Sequence, residues 1–168
     1  MPLALGLPLI VASVTVARVN GYRASELGMR FGNIPGQLLF SLVGIVLGYI
    51  EYTILKPQPL IAPMTWENII LPSVILIVYT GFMEEFAFRG VMHKAFTDGV
   101  GGRFSVVFVS YIFAVLHITH LHVMDIFFVF AVGVLFTYAF NRFRSLLGIT
   151  LAHGMTNIFL YIVWPNIL

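Results

Sequence analysis

Six side chains in this sequence have the types and spacing to assemble a hydrolytic site. Glu84, Glu85 and Arg89 lie in one apolar run, His117 in a second, His153 and Asn157 in a third. Even on lenient insertion scales a charged residue at the centre of a bilayer costs roughly 2.5–3.5 kcal/mol. Such groups persist in an apolar run when they pair, face a wet cavity or do chemistry. Helical spacing sorts them. Glu85 and Arg89 are i,i+4 with the acid N-terminal, the better orientation for an ion pair, and read as a structural pair that neutralises buried charge. Glu84 points about 100° away from Glu85 and is left to face other helices. His153 and Asn157 are also i,i+4 and look into one space. Phe113 and His117 share a face, so Phe113 forms an apolar wall beside the imidazole.

These types suit amide hydrolysis. A carboxyl group in an apolar, water-poor site is well placed as a general base for water. A neighbouring histidine, His117, can share the proton and hold that water. A second histidine, His153, and the Asn157 amide are donors for a developing oxyanion. Serine chemistry is weaker, because Ser110 lies about two helical turns from His117 and no acid orients that histidine. Cysteine chemistry is excluded, since the chain has no cysteine.

The elements that must position these residues are membrane helices. The chain is 60% hydrophobic and 10% charged, with a mean hydropathy of +0.98. Soluble domains carry about 25% charged residues, so this composition is that of an integral membrane protein. The expected fold is all-α, a polytopic transmembrane bundle of about six helices in a single domain over 1–168, with a catalytic core over about 69–164. The apolar runs are Leu3–Ala17, Gln37–Leu55, Ile69–Phe96, Ser105–Thr119, Met124–Phe140 and Leu146–Trp164. The first is short and lacks the basic leader of a signal peptide. Gly44 and Gly48 give the second a small-xxx-small face for close packing. Arginines and lysines gather in the loops after runs one, three and five, whereas the other side has only Lys56. The positive-inside rule puts those basic loops in the cytoplasm, both termini outside, and Trp66 and Trp164 at the outer interface. Multi-pass insertion in the plasma membrane is the expected location. The partners are lipids and a membrane-bound or lipidated protein or peptide; the small net charge of +2 gives no nucleic-acid patch.

Counted from the cytoplasmic ends, Glu84 lies roughly 16–18 Å deep, His117 roughly 18–20 Å, and His153 with Asn157 roughly 10–18 Å. Three helices therefore place polar groups in one layer near the midplane. The remaining polar residues have plainer readings. Glu51 reads as snorkelling or locally paired. His93, His120 and His122 read as interfacial, and Asp125 as a complement to a helix N-terminus. A lone intramembrane acid also fits a proton carrier, but no inverted repeat or pair of broken helices supports one.

Glu84-Glu85-x-x-x-Arg89, Phe113-x-x-x-His117 and His153-x-x-x-Asn157, in that order on runs three, four and six, resemble the CPBP (CAAX protease, or Abi) family of intramembrane endopeptidases, whose best-known members are type II CAAX prenyl proteases. The stretch Glu84-Glu85-Phe86-Ala87-Phe88-Arg89-Gly90 is a good match to the first family motif, and the resemblance covers about Ile69 to Trp164. It implies that Glu84 activates water with His117, that His153 and Asn157 stabilise the oxyanion, and that Glu85 and Arg89 support the site's architecture. It implies no cofactor in the favoured metal-free reading; if a metal were used, Glu84, His117 and His153 would hold zinc. Many members have more than six helices, so the resemblance implies either a minimal member or a further helix upstream. Some members are associated with self-immunity, which makes a non-enzymatic bacteriocin-immunity or scaffold protein the alternative.

Overall fold

The computed structural model describes residues 3–168, so the first two residues of the expected domain lie outside the described part. Six helical rods run in chain order: α1 (Leu3–Val19), α2 (Ile34–Leu55), α3 (Trp66–Val100), α4 (Gly102–His120), α5 (Val123–Phe143) and α6 (Leu147–Ile167). There is no strand among the described residues. Rods α2 to α6 are long and apolar enough to cross a membrane, and α1, taken over Gly6–Val19, is a shorter apolar helix. The expectation of about six helices holds.

Local chemistry sets the ends. The Asn33 side chain accepts from the Gly36 N–H at 3.0 Å and opens α2, with a proline in the first turn. Lys56 turns left-handed at φ 45° before Pro57 and closes it. Leu121, at φ 54°, reverses the chain between α4 and α5. The described chain buries a core that includes Phe136, Phe140, Ile149, Ala152, Leu160 and Ile162. It leaves Phe104, Val107, Phe108 and Tyr111 exposed along one face of α4. Such a face would be a liability in water and is what a lipid-facing helix requires.

Helix α6 is central and packs against both α2 and α3. The small-xxx-small reading of α2 is borne out here. A Cβ on Gly44 would lie 2.2 Å from the Ala152 carbonyl oxygen, and one on Gly48 2.6 Å from that of Thr156, so the two backbones cross in contact. Helix α3 is irregular. Pro72 interrupts its first part, and the residues Leu76–Phe82 and Phe86–Met92 take wider i→i+5 turns on either side of the short α-helical piece Met83–Glu85. Turns of that kind concentrate at functional sites. The α2–α3 loop folds over α6: the Leu60 N–H donates to the Tyr161 carbonyl at 2.8 Å, and Asn166 Nδ2 to that of Ile61 at 3.1 Å.

At the end of the bundle near the α3–α4 turn, His93 is buried within the protein. Its Nδ1 lies 2.6 Å from Ser105 Oγ and its Nε2 3.0 Å from Asn141 Oδ1, so it ties α3, α4 and α5 together. Gln37 is likewise buried and accepts from the Gly148 N–H at 3.0 Å.

Candidate active site

The distance between α3 and α6 is set by two residues without side chains. A Cβ on Gly154 would lie 2.5 Å from Ile77 Cγ1 and 2.8 Å from Ile77 Cα; one on Gly81 would lie 2.9 Å from the Thr150 carbonyl oxygen. With the backbones this close, His153 and Asn157 reach side chains of α3 directly.

His153 sits between the two adjacent carboxylates. Its Nδ1 donates to Glu85 Oε1 at 2.8 Å, and its Nε2 faces Glu84 Oε2 at 3.9 Å. Glu85 Oε1 also accepts from Arg89 Nη1 at 3.0 Å, and Glu85 and Arg89 are both fully buried. The guanidinium lies 4.3 Å over the Phe113 ring. The expected Glu85–Arg89 pair is present, and Glu85 also holds His153. One carboxylate oxygen accepts two hydrogen bonds, so the same atom binds the arginine and orients a histidine from another helix. Helical spacing within α3 reveals the first bond and is silent on the second.

Helix α4 ends at Val115 in its regular part, and His117 lies just past that end, at φ −90° and ψ 3°. His117 Nδ1 bonds the Phe113 carbonyl at 2.9 Å, and the two rings lie 4.8 Å apart between centroids. A carbonyl only accepts, so Nδ1 carries the hydrogen and Nε2 keeps a lone pair. Asn157 is fixed by a residue the sequence reading did not select. Its Nδ2 donates to Thr80 Oγ1 at 3.1 Å, and the Thr80 hydroxyl donates onward to the Leu76 carbonyl in the wide turn. The amide keeps a second N–H.

Glu84, His117, His153 and Asn157 line one cavity of about 280 Å³. A neighbouring cavity of about 30 Å³ touches His117, His153, Asn157 and Phe113. The larger one has further polar walls in Thr80, Glu51 and His120. Glu51 therefore departs from its expected place. Glu51 is buried, not snorkelling, and His120 Nδ1 is 2.7 Å from Asp125 Oδ2. Asp125 lies in the first turn of α5, as expected of a complement to the helix N-terminus, and is fully buried. These three come from α2, the end of α4 and the start of α5, with no shared sequence spacing to announce them. His122 stays exposed at the start of α5.

Among the described residues, the group whose ligand atoms all lie within 4.8 Å of one another is Glu51, His120 and Asp125, not Glu84, His117 and His153. His153 is committed at Nδ1 to Glu85, and His117 at Nδ1 to a backbone carbonyl.

Five long apolar helices around a buried carboxylate–histidine layer define a multi-pass integral membrane protein. The chain belongs to the family described as type II CAAX prenyl endopeptidase Rce1-like, whose pattern matches residues 66–159, more than half of its length. That places it among membrane proteases. No curated protein and no solved structure matches it.

Proposed function

We propose that this protein is an intramembrane endopeptidase that cleaves a peptide bond near a membrane-embedded or prenylated C-terminus with a water activated by Glu84. The observation that carries this reading is the convergence of Glu84, His117, His153 and Asn157, from three helices, on one cavity. The Glu84 carboxylate removes a proton from water as the water oxygen attacks the scissile carbonyl carbon. His117 Nε2, with its lone pair, accepts the second hydrogen of that water and orients it. The carbonyl oxygen gains the negative charge. The free N–H of Asn157 donates to it, as does Nε2–H of His153 when the ring carries both hydrogens, its Nδ1–H held by Glu85. Collapse breaks the C–N bond, and the proton held by Glu84 passes to the leaving amine. No metal or other cofactor enters these steps. The adjoining small cavity has room for a water at the histidines.

The basic loops, with Arg30 held on the Arg144 carbonyl at 2.8 Å, mark the cytoplasmic side of the plasma membrane in this reading.

The test is cleavage of a farnesylated CAAX peptide by purified protein in detergent, followed by mass spectrometry, with Glu84→Gln in parallel. Cleavage that Glu84→Gln abolishes is the expected result. A folded Glu84→Gln enzyme with wild-type rate would overturn the glutamate mechanism. Glu84-dependent cleavage of an unlipidated membrane peptide, with the farnesylated one untouched, would overturn the prenyl substrate and keep the mechanism.

A further inference from the structure

Across the cavity from Glu84 lies a second polar cluster that these steps do not use. Asp125 is fully buried, and only one of its two oxygens is satisfied: Oδ2 takes the His120 ring at 2.7 Å, while Oδ1 is buried without a hydrogen-bond partner. Glu51, 7% exposed, approaches from α2, and neither a hydrogen bond nor an ion pair reaches its carboxylate among the described residues. No lysine or arginine pairs with either acid there. Two carboxylates and an imidazole thus present ligand atoms within 4.8 Å of one another, and two of the three residues, Glu51 and His120, line the cavity.

We infer that Glu51, His120 and Asp125 form a binding site for a divalent transition-metal cation, with zinc as the best match to one imidazole and two carboxylates. Burial of two acids without a basic partner calls for a positive counter-charge, and a divalent ion supplies it while using the orphaned Asp125 Oδ1. Tetrahedral ligands at about 2.1 Å sit roughly 3.4 Å apart, so modest rotations of the Glu51 and His120 side chains close the set. The ion ties α2 to the α4–α5 turn, and its open coordination position faces the cavity. Magnesium fits less well, because it prefers oxygen ligands and retains its water. The site shares no ligand with Glu84 or His153 and stands independently of the proteolytic mechanism.

The experiment uses the whole protein in detergent, stripped with chelator and then titrated with zinc alone or magnesium alone. Bound metal is measured by atomic emission after gel filtration, and the melting midpoint is followed in parallel. Wild type and Glu84→Gln are expected to retain stoichiometric zinc and to gain roughly 5 °C or more at zinc a hundredfold above Kd. Glu51→Gln and Asp125→Asn are expected to lose both, and magnesium to do neither. Absence of zinc retention in the wild type overturns the site. Retention by both cluster variants also overturns it, as an adventitious ion only, and so does its loss in Glu84→Gln. If Asp125→Asn fails to fold, Glu51→Gln alone decides, since it removes a charge that holds no other side chain. A catalytic failure leaves these readouts unmoved, so the two ideas fail separately.

Discussion

Two acidic clusters lie inside the bundle, and their charge is balanced in opposite ways. On α3, Glu85 has its counter-ion four residues away in Arg89, both fully buried, and passes a second hydrogen bond to His153. Across the cavity, Glu51 and Asp125 have one histidine between them and, among the described residues, no lysine or arginine paired with either. The first cluster is complete within the chain, so it can hold a histidine rigidly. The second is completed from outside, by protons or by an ion. A buried carboxylate therefore does not have one meaning in this protein; the nearest cation decides whether it is scaffold or site.

The sharpest way to break the first half of that contrast is to remove the cation. Arg89→Met leaves Glu85 buried and unpaired, and breaking a buried pair from one side costs about 3–5 kcal/mol. Loss of folded protein, or a melting midpoint lower by about 6–20 °C in detergent, is expected. The double variant Glu85→Gln/Arg89→Met removes both charges and should recover much of that stability without recovering activity. A double variant as unstable as the single one would show that the pair's charge balance is not what matters.

Glu84 sits beside the pair but outside it, so its substitution should separate chemistry from stability. Glu84→Gln is expected to lower the cleavage rate by about 10²–10⁴-fold, the span for a positioned general base, with the melting midpoint almost unchanged. A large drop in the midpoint would make Glu84 part of the scaffold and erase its distinction from Glu85.

What the sequence makes legible follows from whether a contact is local. The Glu85–Arg89 pair, the shared face of Phe113 and His117, and the packing face of Gly44 and Gly48 are all i,i+4, and all are present in the structure. The Glu85–His153 bond joins residues 68 apart, and the Asn157–Thr80 bond residues 77 apart, so spacing cannot show either. His117 was read as a helical residue, yet the helix ends before it and the ring bonds back to the Phe113 carbonyl. Asp125 does sit in the first turn of α5, as a dipole complement should, but its full burial and its bond to His120 depend on other elements that one helix window does not contain. The convergence of helices three, four and six was legible, because charge in an apolar run has few places to go.

The Thr80–Asn157 bond offers a finer probe of the α3 side. Thr80→Val keeps the shape and removes the acceptor that fixes the Asn157 amide. The proposed oxyanion donor would then be less well held, and a fall of about 10-fold in kcat with little change in KM is expected, smaller than the 10²–10³-fold cost of losing such a donor outright. An effect confined to KM would place Asn157 in substrate binding rather than in the transition state.

The smallest expected effect has the opposite sign and tests the contrast itself. In metal-stripped protein, Glu51→Gln replaces one of two unbalanced carboxylates with an isosteric amide that donates to Asp125 Oδ1, the oxygen without a partner. The melting midpoint should rise by about 1–4 °C, the equivalent of one ordinary hydrogen bond. The same exchange on the other side of the cavity, Glu85→Gln, should lower it, because Arg89 and His153 both lose their anion. Opposite signs for the same chemical change would establish that one acid is held by the fold and the other is kept in spite of it. A lowered midpoint for both would mean that Glu51 also has its counter-charge within the chain, and the two clusters would no longer differ in kind.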